Sequence, residues 1–252
     1  MTLESTEALV VKTQKYQETS KIVTLYTRKL GKISVIAKGV RKTDSKLGGI
    51  LEVINLVSTV FYYKPSRNIQ LLKECDLIDP FIKIRDDIEK TSVAFAILEL
   101  LNRTIVEEEP NERLFFLLTE ILKNLNEGDK NLMNFYWYFV LKILDILGFK
   151  INFQRCKGCG KNILPKEVYF IIEKGGVFCK SCSKRFDVDI DISPETFRIL
   201  IKLQEISLSS VCNIMPSGRS AMEINEVLHR FMRYHIEDFK VPISLRMLYS
   251  LK

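Results

Sequence analysis

Four cysteines in two pairs constrain this chain more than any other feature. Cys156-Lys-Gly-Cys159 is followed, nineteen residues on, by Cys179-Lys-Ser-Cys182. The spacing C-x2-C-x19-C-x2-C is that of a four-thiolate zinc site. Each C-x2-C turn lets two thiolates converge on one ion, and Gly158 and Gly160 allow the tight turn around Cys159. Four cysteines around a tetrahedral ion leave no position for water or substrate. The expected cofactor is therefore one structural Zn2+ that clamps a fold rather than runs a reaction. Lys157, Lys161, Lys180, Lys184 and Arg185 lie close enough in sequence to offset the excess negative charge of four thiolates. The rival reading is a redox dithiol, a motif that usually stands alone beside a βαβ pattern. A zinc deaminase is disfavoured because the H-x-E that should precede its cysteine pair is missing.

The chain has 252 residues, 46% hydrophobic and 27% charged, enough apolar side chain for a sizeable core. No apolar run reaches the roughly 18 residues of a membrane helix. The opening Met-Thr-Leu-Glu-Ser-Thr-Glu lacks the basic and apolar regions of a signal peptide. The expectation is a cytoplasmic protein with no membrane partner. Cys75 and Cys212 have no neighbour at ligand spacing and read as buried small hydrophobes.

The net charge of +7 is unevenly placed. Residues 1–83 hold 14 Lys and Arg against 8 Asp and Glu, residues 84–150 hold 8 against 12, and residues 151–190 hold 8 against 4. A basic front, an acidic middle and a basic cysteine module fit separate tasks, although small modules often differ by a few charges.

Over the first 80 residues, Val, Ile, Thr and Tyr alternate with turn residues. Strands are expected at 8–12, 22–27, 33–37, 51–63 and 69–77, with turns at 28–32 and 64–68. Five short strands suit a small closed barrel, which removes exposed edges. From Pro80 the period becomes helical. Asp86 and Glu89 are spaced to cap a helix through 93–106, and Glu107-Glu-Glu-Pro110 breaks it. Further helices are expected over 111–126 and 132–147, the last ending at Gly148 and buried on all sides through Phe135-Tyr-Trp-Tyr-Phe139. After the cysteine module, Ser193-Pro194-Glu195 starts a helix, and Ser220 with Glu223 reads as a second capping box. Ile224, Val227, Leu228, Phe231, Met232, Ile236 and Phe239 then form one apolar stripe. His235 falls on that stripe and is expected in the core. His229 falls opposite and is expected in solvent.

Between the third and fourth expected strands, residues 38–49 form a basic, glycine-bearing loop. Lys38, Arg41, Lys42 and Lys46 lie within nine residues and can neutralise several phosphates. Tyr16, Tyr26, Tyr62 and Tyr63 offer stacking faces for unpaired bases, though any one of them is more simply a core residue. Lysines also solvate any small barrel, so the loop alone does not decide its use. No nucleophile elbow, Walker loop, dinucleotide fingerprint or H-E-x-x-H is present, and nothing in the chain demands catalysis or a small-molecule substrate.

The order of parts resembles the bacterial RecO family of recombination mediators over nearly the whole chain. Three stretches carry the resemblance: Ala37-Lys-Gly-Val-Arg41-Lys42 with Leu47 to Leu51; Glu109-Pro-Asn-Glu-Arg-Leu-Phe115 with Leu147-Gly148-Phe149; and the two cysteine pairs with Gly175-Gly-Val-Phe178. The tail Ser244-Leu-Arg-Met-Leu248 is also similar. One departure is Leu51-Glu52-Val53, where the family often has an apolar-Gln-Pro sequence.

The resemblance implies an α+β multidomain fold: an N-terminal five-stranded OB-fold barrel (1–80), helical parts (81–150 and 188–252) and an inserted four-cysteine zinc module (151–187). It implies a DNA-repair protein associated with the nucleoid that binds single- and double-stranded DNA and anneals complementary strands. With RecR, such a protein promotes RecA loading on single strands coated by the single-strand-binding protein SSB. Lys38, Arg41, Lys42 and Lys46 are the expected DNA contacts, and Cys156, Cys159, Cys179 and Cys182 the expected metal ligands. The alternative is a non-catalytic zinc-ribbon scaffold that binds only proteins.

Overall fold

A computed structural model describes residues 1–105, 109–166, 168–188 and 190–250. It divides into two compact units, residues 1–126 and 127–252. In the first, strands β1 (Thr2–Tyr16), β2 (Ser20–Thr27) and β3 (Gly31–Ala37) lead through a short helix α1 (Leu47–Ile50) to β4 (Leu56–Tyr63) and β5 (Ile69–Asp79). These five close into a barrel of order β1-β2-β3-β5-β4. All neighbours are antiparallel except β3 and β5, whose parallel pairing of Ser34 with Ile69 and Ile36 with Leu71 shuts the cylinder. This is the expected five-stranded OB-fold.

Ala8, Val10, Val23, Leu25, Val35, Val57 and Phe61 fill the interior, and Val40 and Leu51 from the β3–β4 connection complete it. The apolar run expected as one strand over 51–63 breaks at Asn55. Leu51 and Ile54 are buried, but they lie in a turn that continues α1, and only residues from Leu56 join the ladder. Ile54 stands at φ +85, a rare conformation for a β-branched residue. It is held there because Ile54 N–H donates to Val10 O (2.9 Å) while Val10 N–H donates to Asn55 O (2.9 Å). At the other extreme β1 is fifteen residues long rather than five, because its polar first half pairs with β4 from Thr2–Tyr63 to Leu9–Leu56. That half carries no apolar alternation, so its strand character was hidden.

After β5 come α2 (Ile82–Arg85), α3 (Ile88–Thr104) and α4 (Glu112–Glu127). The cap of α3 is Asp87, not Asp86: its carboxylate accepts from Glu89 N and Lys90 N. Either Asp precedes an apolar run, and a one-residue shift decides which carboxylate meets the free amides. Val106, Glu107 and Glu108, read as the helix end and acidic break, lie outside the described residues.

Within this unit the helices grip one end of the barrel. Lys32 is buried, and its Nζ donates to Asn102 O (3.0 Å) and Ile105 O (2.5 Å), a cation at the negative end of α3. Tyr26 packs beside Phe115, and Arg28 pairs with Glu112 at 2.6 Å. Gly31, at φ +67, lets the β2–β3 turn approach the Glu109 backbone where any Cβ would collide.

The second unit is built on α5 (Met133–Ile146), whose Phe135 to Phe139 are all buried as expected. A three-stranded sheet of β6 (Val168–Ile171), β7 (Gly176–Phe178) and β8 (Ile190–Ile192) has the order β7-β6-β8, and α6 (Lys180–Ser183) follows β7. Helices α7 (Pro194–Glu205), α8 (Gly218–His235) and α9 (Ile243–Ser250) complete it, with a 3-10 turn at Leu208–Asn213. Ser193 caps α7 as expected. The cap of α8 is Ser217 rather than Ser220, which is buried in its first turn. Glu223, expected to close a box on α8, instead accepts Ser193 N–H at 3.0 Å, while Glu195 of α7 accepts Ser217 N–H at 3.1 Å. The two helix starts thus cap each other.

The His229 expectation is reversed, and the His235 expectation holds in part, its ring packing on Phe231 and Phe149. His229 is buried, with Nε2 at 3.1 Å from Tyr136 Oη, and His235 is half-buried at the end of α8. The polar faces of a helix seen in isolation do not register that α5 packs against the His229 side. Burial, with Arg233 nearby, lowers the His229 pKa to about 4, so it is neutral near pH 7. Cys75 is in the barrel core as expected, but Cys212 is only half-buried. No helix among the described residues is long and apolar enough to cross a membrane.

Candidate functional site

The first candidate is the basic loop. Lys38, Arg41, Lys42 and Lys46 are all exposed on the segment joining β3 to α1, so the barrel brings the four expected cations to one rim. Their roles differ. Arg41 Nη1 donates to Gln17 O (3.2 Å) and Glu18 O (2.8 Å), and its backbone N–H donates to Thr19 O (2.9 Å). Arg41 therefore ties the loop to the β1–β2 turn while its remaining donors face solvent. Lys38, Lys42 and Lys46 have no ion-pair partner among the described residues, leaving their full charge available. Glu52, the acidic departure behind the loop, is paired with Lys21 at 2.9 Å. Its negative charge is largely offset.

Of the four tyrosines, Tyr26 is fully buried, Tyr62 and Tyr63 are half-buried and Tyr16 is exposed beside the same turn. The tethering role of Arg41 had no sequence signal, since it depends on which turn lies against the loop.

The second candidate is the cysteine cluster. Cys156 and Cys159 come from a turn closed by Gly160 N–H donating to Cys156 O (2.8 Å), with Gly160 at φ +72. Cys179 and Cys182 flank the start of α6, where Cys182 N–H donates to Cys179 O (3.0 Å). The β6–β7 hairpin turns at residues 172–175 and delivers the second pair to the first. The four Sγ atoms all lie within 4.8 Å of one another, an arrangement able to hold a metal ion. Gly158 eases close approach, because a Cβ there would sit 3.0 Å from Cys182 Cβ and 3.1 Å from its Sγ, pressing on that cysteine. The Ser181 hydroxyl leads the groups that draw the Cys179 thiol down to about 6, while the hydrogen bond between Cys182 and Cys179 leads those pushing the Cys182 thiol up to about 12. Crowded thiols resist losing all their protons together, and a cation among them removes that resistance.

Comparison with known proteins decides the family. The profile described as Recombination protein O N terminal matches residues 1–81, and that described as Recombination protein O C terminal matches residues 85–242. The chain belongs to the recombination protein O family. The DNA repair protein RecO of Chloroherpeton thalassium is 31% identical over 243 residues, covering 94% of each chain. That of Bacillus pumilus is 32% identical over 230 residues, covering 91% of this chain and 88% of its own. Membership carries a role in DNA repair and recombination. The N-terminal RecO match spans the barrel with its 38–46 loop, and the C-terminal RecO match spans the cysteine cluster.

Proposed function

We propose that this chain is a non-catalytic DNA-binding recombination mediator. It binds single- and double-stranded DNA through Lys38, Arg41, Lys42 and Lys46 and anneals complementary strands. With RecR it promotes RecA loading on SSB-coated single strands in the cytoplasm, at the nucleoid. The observation that carries this reading is the rim of four exposed cations on a closed five-stranded barrel in a chain of the recombination protein O family. Annealing needs no reacting side chain. Cations between two phosphate backbones screen their repulsion and hold the strands together long enough to pair.

The cysteine cluster is assigned one structural Zn2+. Tetrahedral Zn–S bonds of about 2.3 Å place sulfurs roughly 3.8 Å apart. Cys179 Sγ lies 3.7 Å from Cys156 Sγ and 4.0 Å from Cys159 Sγ, which fits. When bound, the ion locks the two cysteine turns together, and the four ligands exclude substrate.

The deciding experiment is strand annealing of complementary oligonucleotides with and without SSB. Acceleration in both cases supports the reading. No acceleration, together with no salt-dependent binding of labelled single strands, identifies a protein-only scaffold instead.

A further inference from the structure

The outer face of β1, β2 and β3 has a covered end and an open end. Side chains alternate along a strand, so residues two apart share a face. Tyr26 and Lys32 lie on the outer face at the covered end, directly cross-strand partners in the β2–β3 ladder. The Tyr26 hydroxyl donates to Asn111 O at 3.4 Å, and its ring is fully buried against Phe115. No ligand reaches it.

The same face continues in the other direction along a cross-strand row of Gln14, Ile22 and Ile36. Here it is open: Ile22 and Ile36 are half-buried, and Gln14 is exposed. Tyr16 is the next outward residue of β1, and it is 39% exposed. Among the described residues, it is the ring on the open end of this three-stranded face. It directly precedes Gln17, whose carbonyl Arg41 binds. One ring and a set of cations are therefore fixed on the same rim, with a shallow aliphatic floor beside them.

The geometry points to Tyr16 as a base-stacking residue that makes this rim select unpaired strands. The inference rests on the DNA-binding reading and deepens it. The loop cations meet phosphates whatever the bases do, and phosphate contacts alone give no preference for unpaired bases. A ring at the rim adds a contact that only an unstacked base offers. Ile22 and Ile36 can support that base by apolar contact, but they carry no π face.

The test uses the full chain and two fluorescent strands of equal length, one of thymidines and one of abasic tetrahydrofuran units. Both carry the same phosphates. Stacking on one ring predicts that the native protein prefers the thymidine strand by roughly 5- to 150-fold. Tyr16→Ala removes that preference while leaving abasic-strand affinity and the salt slope unchanged, and Tyr16→Phe keeps it. A preference that survives Tyr16→Ala, an equal loss on both strands, or a Phe variant that behaves like Ala overturns the inference while leaving phosphate binding standing. Binding to neither strand by the native protein overturns the DNA reading and the inference with it.

Discussion

Replacing Lys42 and Lys46 together by Gln removes two of the four loop charges and keeps Arg41, which holds the loop to the β1–β2 turn. Each phosphate neutralised on a single strand contributes about −0.7 to the slope of log affinity against log salt. Four engaged cations therefore contribute about −2.8, and the double variant retains about −1.4 of it. Between roughly 50 and roughly 200 mM salt, the loop's share of affinity falls about 50-fold in the native protein and about 7-fold in the variant. Fluorescence anisotropy of a labelled single strand, titrated at several salt concentrations, measures both slopes. Both side chains are exposed, so the variant folds normally, as circular dichroism will verify. An unchanged slope with native folding would falsify the assignment of these lysines to phosphate.

Purified protein should carry about one equivalent of zinc by elemental analysis, and Cys156→Ser should lose it and melt at a lower temperature, since structural zinc contributes directly to folding. Less than about half an equivalent in protein never exposed to chelator refutes the zinc assignment. Lys32→Met should lower stability by about 1–3 kcal/mol in urea titration, because Asn102 O and Ile105 O lose the ammonium that both accept from. A change within about 0.5 kcal/mol rejects that role. Burial raises the Glu223 pKa, but hydrogen bonds from Ser193, Thr196 and Arg219 outweigh it and bring it to about 2. The folded value lies below the ordinary one of 4.5, so its stabilisation is complete above that pH and is lost as pH falls towards 2. Native protein should therefore lose more stability between about pH 5 and about pH 3 than Glu223→Gln does, and equal losses count against the cross-capping.

The sequence was most legible where chemistry and spacing coincide. The cysteine pairs, the basic loop and the α5 aromatic run each declare themselves through side-chain type. The outer half of β1 did not, because its partner β4 stabilises a strand whose own residues are polar. The 51–54 segment misled for the opposite reason: Leu51 and Ile54 are apolar, but they plug the barrel from a turn. The expected caps lie one to three residues from Asp87 and Ser217, where several polar residues compete and only the backbone path chooses. The reciprocal use of Glu195 and Glu223 lies beyond any local pattern. Helical period alone places His229 in solvent because it does not reveal a second packed neighbour. In the basic loop, the four cations were visible, but their division into one tether and three free charges required the turn at Gln17 and Glu18.

That tether bears on the speed and strength of the strand capture proposed above. A free loop loses backbone freedom when it grips a ligand, at about 1–2 kcal/mol for each residue newly fixed. Arg41 anchors the middle of the 38–46 segment during folding, so part of that ordering is complete before any strand arrives. On the proposed DNA-binding reading, the flanking lysines would then meet phosphates from short, pre-positioned spans. Affinity is consequently divided between two separable quantities: the number of charges, which salt reads, and the prior order of the backbone that presents them, which salt does not.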